Sequence, residues 1–149
     1  EECRRAAVLG GTLFFMPHCG RQLYANLLEA NWGHATLQRV QVLGNSFAAY
    51  ADALSHAQRE RAEAWCRLTR AAPFASELEC GEAASSRSEF ANAFNNLCLH
   101  TFGPPLLPPP EDPSWARPFE APPADDPLVQ RDVILAGCCA CDHGHSHDH

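Results

Sequence analysis

Three stretches of this 149-residue chain bring reactive side chains together. Pro17-His18-Cys19-Gly20 sets an imidazole beside a thiol, and Gly44-Asn45-Ser46 sets an amide beside a hydroxyl. The third runs from Cys138 to His149. It holds Cys138, Cys139, Cys141, His143, His145, His147 and His149, three thiols and four imidazoles in twelve residues. The first could supply a nucleophile and a base, but such a pair needs a geometry that adjacency in sequence does not provide. One His beside one Cys also lacks the spacing of a zinc site. A plain turn, with His18 capping carbonyls and Cys19 packed as a small hydrophobe, explains the same residues. Gly-Asn-Ser is equally a turn and a helix cap. The tail suits Zn or Cu(I), and a flexible segment of that composition binds such ions in vitro whether or not it evolved to.

The elements around the first two stretches are legible from hydropathy. Thr12-Leu13-Phe14-Phe15-Met16, between Gly10-Gly11 and Pro17, reads as a buried strand. From Gly20 to Asn31 the period changes, and Leu23, Leu27 and Ala30 make a helical stripe that Asn31-Trp32-Gly33 stops, with Gly33 suited to a left-handed cap. Val40, Val42 and Leu43 predict a second strand, and Asn45 or Ser46 a cap for a helix holding Phe47, Tyr50 and Leu54. Residues 56–71 read as helix, ended by Pro73. Phe90–Asn96 reads as a helical turn or two closed by Asn95-Asn96, and Leu97–Phe102 alternates as a strand, with His100 near its end.

Strand, helix, strand, helix, helix and strand in that order predict an α/β fold, a partial Rossmann-like three-layer domain on a short parallel sheet. Three strands make a narrow sheet, so further strands are expected ahead of Glu1. In such sheets ligands bind beyond the carboxyl ends of the strands. That singles out His18, Cys19, Gly20, Gly44, Asn45 and Ser46, with Asn95 and His100 as further candidates. Helix N-termini there favour an anion, and the same field favours a thiolate at Cys19.

Composition divides the chain. Residues 1–102 nearly balance their charges, nine Arg against ten acids, while 103–149 carry two Arg and eight acids. Ten of the twelve Pro fall between Pro104 and Pro127. Pro removes a donor and fixes φ, so 103–132 is expected to be a disordered acidic linker and 133–149 a low-complexity tail. The net charge of −7 excludes a nucleic-acid surface, which needs clustered cations. No window approaches the ~20 apolar residues that span a bilayer. The eight Cys are scattered or crowded at the tail, unlike a disulfide scaffold, which predicts reduced thiols and an intracellular protein.

Three motifs in succession carry a family likeness: Thr12–Gly20 with Leu23–Leu28, then Asn31-Trp32 with Val42–Phe47, then Phe94–Phe102. Together they resemble the Sensitivity to Red Light Reduced family, the SRR-like domain, over residues 8–102. By position the resemblance points to His18, Cys19, Gly20, Tyr24, Asn26, Asn31, Trp32, Gly44, Asn45, Ser46, Phe94, Asn95 and His100. Asn96 stands where the family has Asp, which weakens any general base there. Thr101 stands where an aromatic is common. The family's earlier Tyr-Gly-Leu-Gly-like turn is absent.

The resemblance implies a regulator of circadian rhythm and haem biosynthesis in the cytoplasm and nucleus, with no established catalytic activity. The residues fit that role through a small-molecule or protein partner held at the strand-to-helix turns. A hydrolase or transferase using His18 and Cys19, or a haem or Zn/Cu sensor, are the alternatives.

Overall fold

The structure, a computed structural model, describes residues 3–80, 96–121, 123, 125 and 126. The Cys/His tail, Asn95 and most of the 90–96 helical segment lie outside the described residues.

Strand β1 (Thr12–Met16) leads through the exposed turn at His18 into helix α1 (Arg21–Ala30). A short helix, α2 (His34–Leu37), turns the chain into β2 (Val40–Asn45). Helices α3 (Phe47–Asp52), α4 (His56–Trp65) and α5 (Arg67–Ala71) follow, then β3 (Ala75–Glu79) and, beyond residue 95, β4 (Leu97–Phe102). Ser46 caps α3 through Ala49 N–H at 3.0 Å, and Ser55 and Gln58 form a capping box on α4. The stretch read as one helix over 56–71 breaks at Cys66, whose backbone is extended (φ −102°, ψ 107°).

The fold is α/β, on a four-stranded sheet of order β1-β2-β4-β3. β1 and β2 run parallel, as the crossover helix between them requires. The wholly parallel sheet expected from the sequence is not formed, because β4 enters antiparallel to both β2 and β3. β3 gave no signal in the sequence. Ala-Ser-Glu-Leu-Glu lacks β-branched and aromatic residues and lies at the sheet edge, where little burial is asked of it.

The two sheet faces differ. Phe14, Val42, His100 and Glu77 form one row across the four strands, on the face that the helices cover. The core there joins Met16, Tyr24, Leu27, Leu28, Val40, Val42, Phe47 and Leu68. On the other face Phe15, Leu43, Leu99 and Leu78 form the neighbouring row, with Phe15 and Leu78 each 64% exposed. Among the described residues the arrangement therefore has two layers rather than three.

Asn31, 2% exposed, ties the N-terminal segment to the end of α1. It receives Ala7 N–H at 2.7 Å and donates to Arg5 O at 2.7 Å and Leu27 O at 2.8 Å. Gly33, expected in a left-handed cap, has extended backbone (φ 162°), so this asparagine and not the glycine ends the helix.

Residues 103–121 also depart from expectation. They return over the helices instead of leaving as a linker. Leu107 enters the core at 8% exposure, the Trp115 ring centre lies 5.4 Å from that of Trp32, and Glu120 N–H reaches Ala64 O at 3.2 Å. Pro restricts the unfolded chain, so a few apolar anchors suffice to hold the segment. Leu107→Ala should therefore destabilise the protein by about 2 to 3 kcal/mol in denaturant titration. A free linker would leave the midpoint unmoved.

Candidate functional site

Parallel pairing of β1 with β2 brings their carboxyl ends side by side, with Met16 opposite Gly44. The turn after each strand therefore lies on one rim. His18 takes a left-handed backbone, φ 55°, tolerable for a polar residue in a turn. Its N–H donates to Asn45 Oδ1 at 2.8 Å, which joins the two turns directly. The Tyr50 hydroxyl in α3 donates to Cys19 O at 2.7 Å. Arg21, 7% exposed, donates to Tyr50 O at 3.1 Å and places its guanidinium 5.6 Å from the Tyr50 ring centre. Gly20 opens α1 with ordinary extended angles and no side-chain cap.

Beneath this rim lies Tyr24, fully buried in α1. Its hydroxyl donates to Met16 O and accepts from Asn45 N–H at 2.9 Å. One phenol thus spans the last backbone groups of both strands. Burial drives its pKa well above the ordinary value despite the Asn45 N–H, so it serves as a neutral donor. It crosses directly over Gly44. A Cβ there would sit 2.5 Å from Tyr24 Oη and 2.9 Å from Met16 O.

His100 does not share the rim. Because β4 runs antiparallel, His100 pairs with Val42 in mid-sheet and is fully buried under α3. Its ring stacks on Phe47 with centroids 3.8 Å apart. Nδ1 lies 3.0 Å from Val42 O, an acceptor, so Nδ1 carries a proton. Nε2 then receives Phe47 N–H at 3.3 Å in the neutral ring, and faces Glu77 Oε1 at 3.6 Å if protonated. Glu77, which nothing in the sequence marked, also accepts Ser46 Oγ–H at 2.7 Å and Ala48 N–H at 2.8 Å. Burial alone would raise the Glu77 carboxyl. With the His100 ring protonated, its hydrogen bond, those of Ser46 and Ala48, and the imidazolium charge overcome it and bring the pKa down to about 2.

The candidates thus separate into two groups about the end of β2. His18 and Asn45 meet at the rim beside Cys19 and Gly20. Ser46 and His100 meet Glu77 on the helix-covered face. Cys19 is not poised as a thiolate. Burial, then the nearby Cys3, push its pKa up. The five described cysteines are unpaired. Among the described residues no three His, Cys, Asp or Glu side chains are grouped to hold a metal ion, and no helix is long and apolar enough to cross a membrane.

A family model for the SRR1 domain matches residues 1–101. The chain belongs to the SRR1 domain family. Protein SENSITIVITY TO RED LIGHT REDUCED 1 of Arabidopsis thaliana is 51% identical over 55 residues, 37% of this chain and 20% of that protein. An SRR1-like protein of Mus musculus is 51% identical over 47 residues, 32% and 19% of the two chains. An SRR1-like protein of Drosophila melanogaster is 33% identical over 107 residues, 71% and 35%. The alignments thus cover between 19% and 35% of these relatives. No solved structure matches. Within this SRR1 domain, the residues singled out by the resemblance are largely structural links: Tyr24 and Gly44 at the strand ends, Asn31 at the N-terminal segment, and Trp32 against Trp115.

Two measurements check this geometry. Gly44→Ala should cost at least about 2 kcal/mol of stability, since one of the clashing atoms is backbone. Gly103→Ala, whose Cβ would meet nothing within 4 Å, should leave the unfolding midpoint in place. For Glu77 the folded pKa lies below its ordinary 4.5, so its contribution is complete above that pH and is lost as pH falls toward about 2. Unfolding midpoints followed through that acid window should decline less steeply in Glu77→Gln than in the natural chain. Parallel curves would remove the network's electrostatic role.

Proposed function

We propose that this SRR1-domain chain is a regulatory protein that acts by binding, with the rim formed by His18, Cys19, Gly20 and Asn45 as the surface that receives a small ligand or a partner protein, and with buried Gly44 letting the two strand ends approach beneath it. The observation that carries this reading is that Ser46, His100 and Cys19 are held in structural roles beside the rim. Ser46 Oγ gives its proton to the Glu77 carboxylate while capping α3, and His100 is closed off between Val42, Phe47 and Glu77. Cys19 is held as a thiol. Ser46 does lie beside a base, the Glu77 carboxylate, but it is buried as the cap of α3, and the Cys19 pKa is raised where a nucleophile needs it lowered. What the rim offers instead is an exposed His18 on a backbone fixed by Asn45, which suits recognition. It does not favour a hydrolase or transferase built on His18 and Cys19.

The biological role we assign is light and circadian signalling, together with control of haem biosynthesis, exerted in the cytoplasm and nucleus. Family membership supports it, as does the Arabidopsis relative whose name refers to reduced sensitivity to red light.

The test is replacement in cells whose own SRR1-family protein has been deleted, reading clock period and haem content. The natural chain and Cys19→Ser should shift these readouts alike. His18→Asn, which tolerates the left-handed backbone and keeps the link to Asn45, should abolish the shift while the purified variant keeps the unfolding midpoint of the natural chain. Loss of effect in Cys19→Ser alone would point to nucleophilic catalysis. An unchanged clock and unchanged haem content with the natural chain would overturn the regulatory assignment.

A further inference from the structure

A second site lies elsewhere in the helical layer and is independent of the rim. Trp32 follows the last turn of α1, a helix length of about 15 Å from where that helix begins. Beside it a cavity of about 220 Å³ opens between α4, α5 and the returning segment. Trp32, Pro73 and Phe74 make its apolar wall, while Arg70, Arg117 and Ser114 supply donors. Thr69 and Glu63 complete the lining.

The cations here form no ion pair among the described residues. Arg70 is fixed by carbonyls: Nε donates to Glu63 O, and Nη2 reaches Ala64 O and Pro118 O at 3.4 Å each. Its Nη1 is buried without a partner. Arg117 is exposed and makes no hydrogen bond or ion pair among the described residues. Arg67, 6% exposed, lies between the Trp32 and Phe119 rings at 4.7 Å from each centre, with Nε and Nη1 unpartnered. No described carboxylate comes within ion-pair distance of these three guanidinia. Burial, then mutual repulsion, holds the pKa values of Arg67 and Arg70 below the ordinary arginine value, and nearby acids only partly offset this. Arginine nevertheless stays charged at neutral pH. A chain of net charge −7 thus gathers three arginines around one tryptophan, none of them in an ion pair among the described residues, with Glu29 near Arg67 and Glu63 and Glu120 near Arg70.

We propose that this cavity binds a small oxyanion joined to a flat ring, an aryl carboxylate or aryl phosphate, with Arg117 and Arg70 on the oxyanion and the ring against Trp32 and Phe74. An oxyanion between the cations relieves their repulsion and accepts the forked donors of guanidinium. A ring beside Trp32 gains offset or edge contacts. The volume falls below the roughly 300 to 1,000 Å³ of pockets for drug-sized ligands, which limits the occupant to about one ring.

The test is titration of the full chain, at constant ionic strength, with phenyl phosphate, benzoate, inorganic phosphate and phenol. Chemical shifts of the Trp32 indole N–H and the Ser114 amide are the readout. Phenyl phosphate or benzoate should saturate the shifts, and whichever binds more tightly identifies the oxyanion. Inorganic phosphate and phenol should bind at least about tenfold more weakly. Arg117→Gln, at an exposed site without partners, should weaken the aryl anion about tenfold and leave the unfolding midpoint unchanged, with Arg117→Lys intermediate. If Arg117→Gln itself lowers the midpoint, Ser114→Ala replaces it, with weakened binding again expected. Shifts that stay linear for every probe, or undiminished binding by the variants, would overturn the site. Inorganic phosphate binding as tightly as phenyl phosphate would overturn the ring assignment.

Discussion

The Tyr24 hydroxyl holds two strand ends and one helix together. A phenol has one proton to give and lone pairs to receive with. Here the proton goes to Met16 O on β1 and a lone pair takes Asn45 N–H on β2. The group is fully buried, so leaving either backbone atom unpaired would cost desolvation energy without compensation. The bridge requires that residue 44 have no side chain, and it sets the separation at which His18 N–H can meet Asn45 Oδ1. It also seats Tyr24 against Phe47 and Tyr50, with ring centres 5.3 and 5.8 Å away. Tyr50 in turn holds Cys19 O. The rim's shape descends from one hydroxyl.

A second constraint works on the covered face. A buried imidazole and hydroxyl meet a half-buried carboxylate under α3, a costly arrangement unless each finds its partners. They do: His100 takes Val42 O and Phe47 N–H, and Glu77 takes Ser46 Oγ–H and Ala48 N–H. Both Glu77 and Ser46 bond to N–H groups of the first turn of α3, groups that a helix leaves without internal partners. The network thereby fixes the start of α3 against β3 and β4. Ser46, Glu77 and His100 together suggest hydrolytic chemistry by type alone. Their hydrogen bonds show a carboxylate that receives the serine proton and an imidazole turned to the backbone.

The open sheet face and the returning segment show how unevenly apolar area is distributed. Phe15, Leu43, Leu99 and Leu78 form a row across four strands with no described element over them. On the other side even a Pro-rich stretch is drawn in, because Leu107 and Trp115 find apolar neighbours there. That return puts Trp115 beside Trp32 and Arg117 beside Arg70, and so makes a cavity from residues more than eighty positions apart.

Local sequence determined the elements whose side chains must alternate or recur to bury a face. β1, α1, β2, β4 and the Ser46 cap are all legible, because hydropathy period and cap chemistry act over a few residues. The parallel pairing of β1 with β2 followed from a helical crossover, and with it the meeting of His18 and Asn45. Tertiary structure alone decided the direction of β4, the existence of β3 and the packing of 103–121. Each depends on partners distant in sequence: β4 on the strands either side of it, Ala75–Glu79 on an edge to join, Trp115 on a tryptophan at 32. The direction of β4 took His100 away from the rim and placed it beside Glu77. The Cys19 field was decided the same way. A helix N-terminus is visible in sequence, but the desolvation that raises the thiol's pKa arises only from what packs around it.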